Sequence, residues 1–192
     1  MKKVDIDVID AFGWIVNNII DAAVERDPTK CFLLASVDDQ GKPNVKSEHM
    51  VAPCKAGPFG WGFYILSMSD QYTTTLIDQS GDFTLNLPRL GMEDVVKYCG
   101  RVSGREEDKL QAMNLSAIPS RIVSSPIIQE CCMHFECEVN IVAPVLLENT
   151  KGEDIKTVFG NGFDIISGII KAAYADEDIA HSFPEREILH AL

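Results

Sequence analysis

The chain has 192 residues, 46% hydrophobic and 24% charged, which suits one globular domain with a sizeable core and leaves no long tract for disorder. It holds 29 acidic residues against 17 basic ones, a formal charge of -12. That is the opposite of the broad positive field that nucleic acid or an anionic membrane selects, so any anion it binds has to be held by a local cluster of cations.

Ile6, Ile9, Val16, Ile19, Ile20 and Ala23 recur at helical spacing and predict a helix through residues 5–25, with Asp5 or Asp7 as N-cap and Pro28 beyond its end. Asp5, Asp7 and Asp10 stand where a signal peptide needs an apolar core, and stretches such as Ile65 to Met68 fall far below the roughly 20 residues of a membrane span. A cytoplasmic protein is expected. Cys31 to Val37 and Pro43 to Val51, joined by the turn-rich Asp38 to Lys42, predict a hairpin. Further strands are predicted at Phe63 to Met68 and at Asp82 to Leu87, which Pro88 closes.

Residues 92–99 and 104–113 predict helices, separated by Gly100 and the pair Ser103-Gly104. Strand character returns at Ile127 to Val142, Val145 to Leu147 and Phe163 to Ala173, with a polar connection at Glu148 to Lys156. From Glu130 to Val139 the pattern alternates: Cys131, Met133, Phe135, Cys137 and Val139 on one face, Cys132, His134, Glu136 and Glu138 on the other. His134 therefore reads as facing solvent or a partner subunit.

Many strands with few helices between them favour an antiparallel barrel over a doubly wound sheet. The chain contains no G-x-G-x-x-G, Walker loop, G-x-S-x-G elbow or H-E-x-x-H, which removes the signatures of Rossmann dehydrogenases, P-loop ATPases and common hydrolases. Six cysteines include no C-x-x-C and the four histidines form no zinc-like array, so buried reduced thiols are expected and no metal site.

The segment Ser103-Gly-Arg-Glu-Glu-Asp-Lys109-Leu gathers cations in this acidic chain. Ser103 and Glu106 have capping-box spacing, which accounts for those two residues alone. Arg101, Arg105 and Lys109 recur every four residues and would share one face of a helix. Cations near a helix N-terminus are unfavourable unless an anion sits with them, and a phosphate reconciles the two. Glu106, Glu107 and Asp108 offer the plainer alternative of neutralising the same cations on a solvated face.

Six short elements occur in order between residues 28 and 179: Asp39-Gln-Gly-Lys-Pro-Asn44, Thr73-Thr-Thr-Leu-Ile77, Ser80-Gly-Asp-Phe-Thr-Leu-Asn-Leu-Pro88, Ser103 to Leu110, Ser125-Pro-Ile-Ile-Gln-Glu-Cys131 and Phe135-Glu-Cys-Glu-Val139. In this order they resemble the flavin reductase-like family, the FMN-binding split barrels that include flavoredoxin. The resemblance implies a mainly β fold, a split β-barrel with a few flanking helices. It also implies one domain over 1–192, made of an N-terminal helix (1–27), a barrel core (28–179) and a C-terminal tail (180–192).

It assigns Lys109, Arg105 and the Ser103-Gly104 backbone to the FMN phosphate, and Thr73 to the phosphate side of the cofactor. Ser47, His49 and Met50 fall at positions beside the flavin, where the family's threonine, serine and stacking tryptophan stand, so two of the three positions depart in chemistry. The implied activity is an NAD(P)H-dependent flavin oxidoreductase passing a hydride from NADH or NADPH to FMN. The alternatives are a flavoredoxin-like electron carrier served by a redox partner protein, and a split-barrel binding module that has lost flavin. A homodimer is implied, with no protein acid-base pair and neither nucleic acid nor membrane as partner.

Overall fold

The computed structural model of the protein describes residues 2–11, 13, 15, 31–55, 60–145 and 162–180. The hairpin of β2 (Phe32–Val37) and β3 (Pro43–Glu48) is paired from Phe32↔Glu48 to Val37↔Pro43 and forms one end of the sheet. The turn between them is fixed by Asp38, whose Oδ1 accepts from the amides of Gln40 and Lys42. Every residue of β2 is buried because both of its faces are covered. Phe32 and Leu34 enter the barrel core, while Leu33 and Ala35 join a second cluster with Val96, Cys99 and Leu110.

The remaining long strands are β4 (Val51–Lys55), β5 (Trp61–Met68), β6 (Asp82–Leu87), β9 (Met133–Val145) and β10 (Phe163–Asp176). All pairs are antiparallel, in the order β3-β2-β6-β9-β10-β5-β4, with β1 (Lys3–Asp5) added to the end of β10. This is a split barrel, mainly β with few helices. Phe32, Phe63 and Phe135 meet at its centre with ring centroids 5.2–6.5 Å apart, tilted or edge-on as aromatic quadrupoles prefer. β10 bends around this core through irregularities at Ser167/Gly168 and Ile170/Ala172. Gly168 is required there, since a Cβ would lie 2.4 Å from the Phe83 ring.

Helix α1 (Tyr72–Ser80) links β5 to β6 and stops at Gly81, which adopts φ 73°. The sequence reading does not anticipate this helix, because three consecutive threonines favour a strand. Helix α2 (Glu93–Arg101) lays Val96 and Cys99 on β3, as the reading of 92–99 expects. The helix expected over 104–113 is reduced to α3 (Lys109–Ala112), preceded by a turn. Asp108 is its N-cap, accepting from the amides of Leu110 and Gln111, so the expected Ser103-Glu106 capping box is replaced.

The strand expected from Ile127 to Val142 is interrupted. β7 (Ala117–Ile118) and β8 (Ile127–Ile128) form their own pair, and β9 begins only at Met133. At the N-terminus Asp5 lies in β1, and Asp7 caps the following helical turn through the amide of Ile9 at 2.8 Å. The rest of that expected helix beyond residue 15, the Glu148 to Lys156 connection and the tail after Ala180 lie outside the described residues, of which α4 (Glu177–Ala180) is the last element.

Residues 119–126 lie over the second face of β9, and this overturns the placement of His134. The alternation is real, but His134 and Glu136 are fully buried. Glu136 accepts from the amides of Arg121 (2.7 Å), Ile122 (2.7 Å) and Val123 (3.1 Å) and from the Tyr174 hydroxyl. Asp82 takes the next two amides, Ser124 and Ser125. His134 Nδ1 donates to Asn86 Oδ1 at 2.8 Å, the donor role being fixed because that oxygen also accepts from Ile128. Burial pushes its pKa down to about 3, so it is a neutral structural histidine. The six cysteines are free thiols. Among the described residues no group of acidic, cysteine and histidine side chains is placed to hold a metal, and no helix is long and apolar enough to cross a membrane.

The carboxylate clamp generates a stability prediction. Glu136→Gln replaces one acceptor oxygen by an amide with hydrogens that have no place among three backbone donors, and should cost about 1–3 kcal/mol. Urea unfolding should show a lower midpoint at unchanged slope; an unchanged midpoint would mean that residues 119–126 are held by other contacts.

Candidate functional site: a cationic cavity at the start of α1

A cavity of about 340 Å³ opens between the start of α1, the end of α2 and the turn that follows it. Its lining includes Lys46, Arg101, Arg105 and Lys109 against one carboxylate, Asp70. This is the local cation cluster that a chain of net charge -12 needs if it is to hold an anion.

Lys109 is the centre of it. Its side chain is 4% exposed, and no hydrogen bond or ion pair to its ammonium exists among the described residues. It is held in place from both sides: Asp108 caps α3, and Leu110 is anchored in the second core cluster. Burial pushes its pKa down, and neighbouring Lys46 pushes the same way. Cys99, which also lines the cavity, offers no counter-charge. Burial raises that thiol to about 11 even against the opposing pull of Lys109, so it stays protonated.

Helix α1 points its N-terminus into the same space. Gln71, Tyr72 and Thr73 line the cavity, and the N-cap Gln71 gives the first turn no side-chain hydrogen bond. The turn holds no acidic residue. Its free end carries partial positive charge and amide donors. An uncapped helix end beside the ammonium of Lys109, unpaired among the described residues, has the chemistry to take an anion.

The other cations have different duties. Lys46 has all three of its hydrogens committed, to Glu48 Oε2 (2.7 Å), Ser67 Oγ (3.2 Å) and Gln71 Oε1, so it contributes field rather than contacts. Arg105 donates to the Asp70 carbonyl at 3.2 Å and lies 4.9 Å from the centre of the Tyr72 ring, which aligns its guanidinium along the cavity wall. Ser103 Oγ accepts from the Arg105 amide at 3.2 Å and so shapes the turn. Gly104 permits the close approach of that turn to β3, since a Cβ there would sit 2.0 Å from Asn44 Oδ1.

Of the residues expected from sequence, the cavity brings together Thr73, Ser103, Gly104, Arg105 and Lys109. The shared helical face expected of Arg101, Arg105 and Lys109 is not what joins them. Arg101 ends α2, Arg105 lies in the turn and Lys109 opens α3. Ser47, His49 and Met50 lie outside the cavity of the single chain. Ser47 points to the opposite face of β3 and donates to the Val96 carbonyl at 2.5 Å, while His49 and Met50 are exposed where the chain leaves β3. Sequence reasoning misses Lys46 and the α1 terminus. The signal for Lys46 is the two-residue period of β3, which sets Asn44, Lys46 and Glu48 apart from Val45 and Ser47.

The protein is a split barrel with a cationic cavity between the start of α1, the end of α2 and the turn that follows it. The flavin reductase like domain matches residues 25–178, and the chain belongs to that family. Its fold is similar to the flavoredoxin of Desulfovibrio vulgaris (Miyazaki F), with TM-score 0.62 and 22% identity, covering 77% of this chain and 70% of that one. A flavoredoxin from Methanosarcina acetivorans gives TM-score 0.60 at 27% identity over 77% of this chain and 68% of that one. The FMN-binding domain of a flavin reductases-like enzyme from Shewanella baltica OS155 gives 0.65 at 15% identity over 91% and 78%. In sequence, an uncharacterized protein of Archaeoglobus fulgidus is 31% identical over 112 residues, 58% of this chain and 61% of its own length. The chain spans about three fifths of that relative.

The cavity makes a stability prediction of its own. Lys109→Met keeps the length of the side chain and removes an unpaired buried charge, so the ligand-free protein should gain about 1 kcal/mol or more. The pKa of Lys109 is lower folded than unfolded, so the wild-type penalty is present at neutral pH and is relieved as pH rises towards the ordinary value of 10.5. Thermal melts from pH 7 to 10 should therefore converge for the two proteins. Added inorganic phosphate should raise the midpoint of the wild type alone; an equal rise in Lys109→Met would place the anion elsewhere.

Proposed function

We propose that this chain is an FMN-binding flavin oxidoreductase that takes electrons from NADH or NADPH. The observation that carries the reading is the buried side chain of Lys109, its ammonium unpaired among the described residues and facing a cationic cavity, in a chain of the flavin reductase like family. The residues present fit FMN. Lys109, the α1 N-terminus and Thr73 would meet the phosphate, Arg105 its outer side, and the Ser103-Gly104 turn closes the wall. One such cation cluster suits one phosphate, which favours FMN over FAD.

When bound, FMN supplies a ring that accepts a hydride from a nicotinamide and passes electrons on. The protein's part is to hold the phosphate end, orient the ring and leave one ring face open. No side chain is proposed as catalytic. A flavoredoxin-like electron carrier is the second reading, favoured by the 27% identity to the Methanosarcina acetivorans flavoredoxin.

A homodimer belongs to the same proposal. Tyr64 and Ile141 both pair with Ser167, and Ile165 lies two residues along, so the three share one face of the β9-β10-β5 sheet. They are 45%, 51% and 38% exposed, and Met50 beyond β3 is 53% exposed, an apolar patch that a second copy of the chain would cover. Light scattering should give twice the chain mass, and Tyr64→Glu with Ile141→Glu should shift it to the monomer. A monomeric wild type would remove the dimer from the proposal.

Titration with FMN, FAD and riboflavin tests the function. FMN should bind tightest, and Lys109→Ala should weaken FMN by on the order of ten- to a hundredfold while leaving riboflavin nearly unchanged. FMN-loaded protein with excess free FMN should then consume many equivalents of NADH or NADPH. Tighter FAD binding would overturn the cofactor. Negligible consumption of both nicotinamides under anaerobic conditions, with the bound flavin still bleached by dithionite, would move the function to electron carrier.

A further inference from the structure

The three threonines at the start of α1 have different hydrogen-bond fates. Thr74 Oγ1 lies within donor reach of Ser67 Oγ (3.0 Å) and the Met68 carbonyl (3.1 Å), and Thr75 Oγ1 of the Gln71 carbonyl (3.4 Å). Thr73, 3% exposed and lining the cavity, does the reverse. It accepts from Asn44 Nδ2 at 2.9 Å, and its own hydrogen has no acceptor among the described residues. A hydroxyl that accepts from an amide keeps its own hydrogen, and one further lone pair, for other partners.

We propose that Asn44 is a positioning residue for anion binding, which fixes the Thr73 hydroxyl as a hydrogen donor to a phosphate held in the cavity. The inference rests on the reading of the cavity as a phosphate site. Asn44 is 6% exposed on β3, opposite Ser36 of β2. Its amide group points one hydrogen at Thr73 and the other towards Ser36 Oγ, at 3.5 Å. Its Oδ1 is buried without a partner and faces Gly104. An orphaned buried acceptor costs stability. Turning the amide over would leave two hydrogens facing Gly104 in place of one oxygen, and would aim Oδ1 at Thr73 to capture the hydroxyl hydrogen. The orientation present is the one that keeps Thr73 a donor.

Gly104 is part of the same device. Any side chain there would collide with Asn44, its Cβ 2.0 Å from Oδ1 and 3.0 Å from Cγ. Gly104 and Asn44 thus specify each other, although sixty residues of sequence separate them. The bland competitor is that Asn44 merely straps β3 to α1, in which case its loss would loosen the site for every ligand alike.

A double-mutant cycle separates the two. Wild type, Asn44→Ala, Thr73→Val and the pair are titrated with FMN, riboflavin and inorganic phosphate. Asn44→Ala should weaken FMN and phosphate by about tenfold or more and leave riboflavin within about twofold. It should cost less than about twofold further when Thr73 is already Val. A matching loss of riboflavin, or fully additive losses in the pair, overturns the proposal. Should Asn44→Ala fail to fold, Asn44→Asp keeps the shape against Gly104 and captures the threonine hydrogen, and unchanged FMN affinity in that variant is equally fatal. A wild type that binds phosphate but not FMN refutes the flavin reading while the phosphate series still tests Asn44; one that binds neither refutes both.

Discussion

The site depends on one constraint: Lys109 is a buried residue whose ammonium faces the cavity with no hydrogen bond or ion pair among the described residues. Two neighbouring groups could neutralise it, and the fold turns each away. Asp108, adjacent in sequence, spends its carboxylate on the amides of Leu110 and Gln111. Cys99 is held as a neutral thiol by its burial. An isolated cation in a buried setting is costly, which is why Lys109 carries the proposal of an outside anion. The same logic gives the helix terminus its meaning, since an uncapped first turn is a second unmet demand for negative charge in the same space.

The acidity of the whole chain sharpens this point. Beyond roughly 8–10 Å at physiological ionic strength, an approaching anion feels little of the cavity and the acidic surface offers it no attraction. In the proposed reading its capture rests on short-range contacts: amide and hydroxyl donors, one ammonium, and a guanidinium 4.9 Å from the centre of the Tyr72 ring. A site of this kind discriminates by geometry rather than by field. That is why the direction of a single hydroxyl hydrogen at Thr73 carries weight.

Much of the barrel is legible in the sequence, and the places where it is not share a physical cause. The β2-β3 hairpin announces itself through a turn whose aspartate caps its own backbone, and β5 and β6 through short apolar runs with clear stops. Helix α1 is hidden because three β-branched residues sit in its first turn; only Ser80-Gly81, which ends it with a left-handed glycine, betrays it. The 103–110 segment is read as a helix, and the structure makes it a turn followed by the short α3. Ser103 and Glu106 satisfy a capping pattern, but the close contact of Gly104 with Asn44 bends the chain there, and the helix starts at Asp108 instead. His134 fails for a different reason. Alternation locates the second face of β9 correctly, and no local pattern could say that residues 119–126, tied down by Glu136 and Asp82, would cover it.

The phosphate end and the ring end of the proposed ligand are therefore unequal in what one chain provides. The cavity, about 340 Å³, lies at the small end of the range of roughly 300–1,000 Å³ for pockets that enclose a whole organic ligand. It is walled by the donors that a phosphate needs. Ser47 is turned into the contact with α2, and His49 and Met50 stand exposed where β3 ends, near the apolar face of Tyr64 and Ile165 on the neighbouring strands. A ring extending from the cavity would need more apolar wall than the isolated chain supplies, and the proposed second copy would bring it. On this reading dimerisation completes the flavin site rather than merely stabilising the barrel, and the chemistry open to the protein turns on how much of the ring that second surface leaves uncovered.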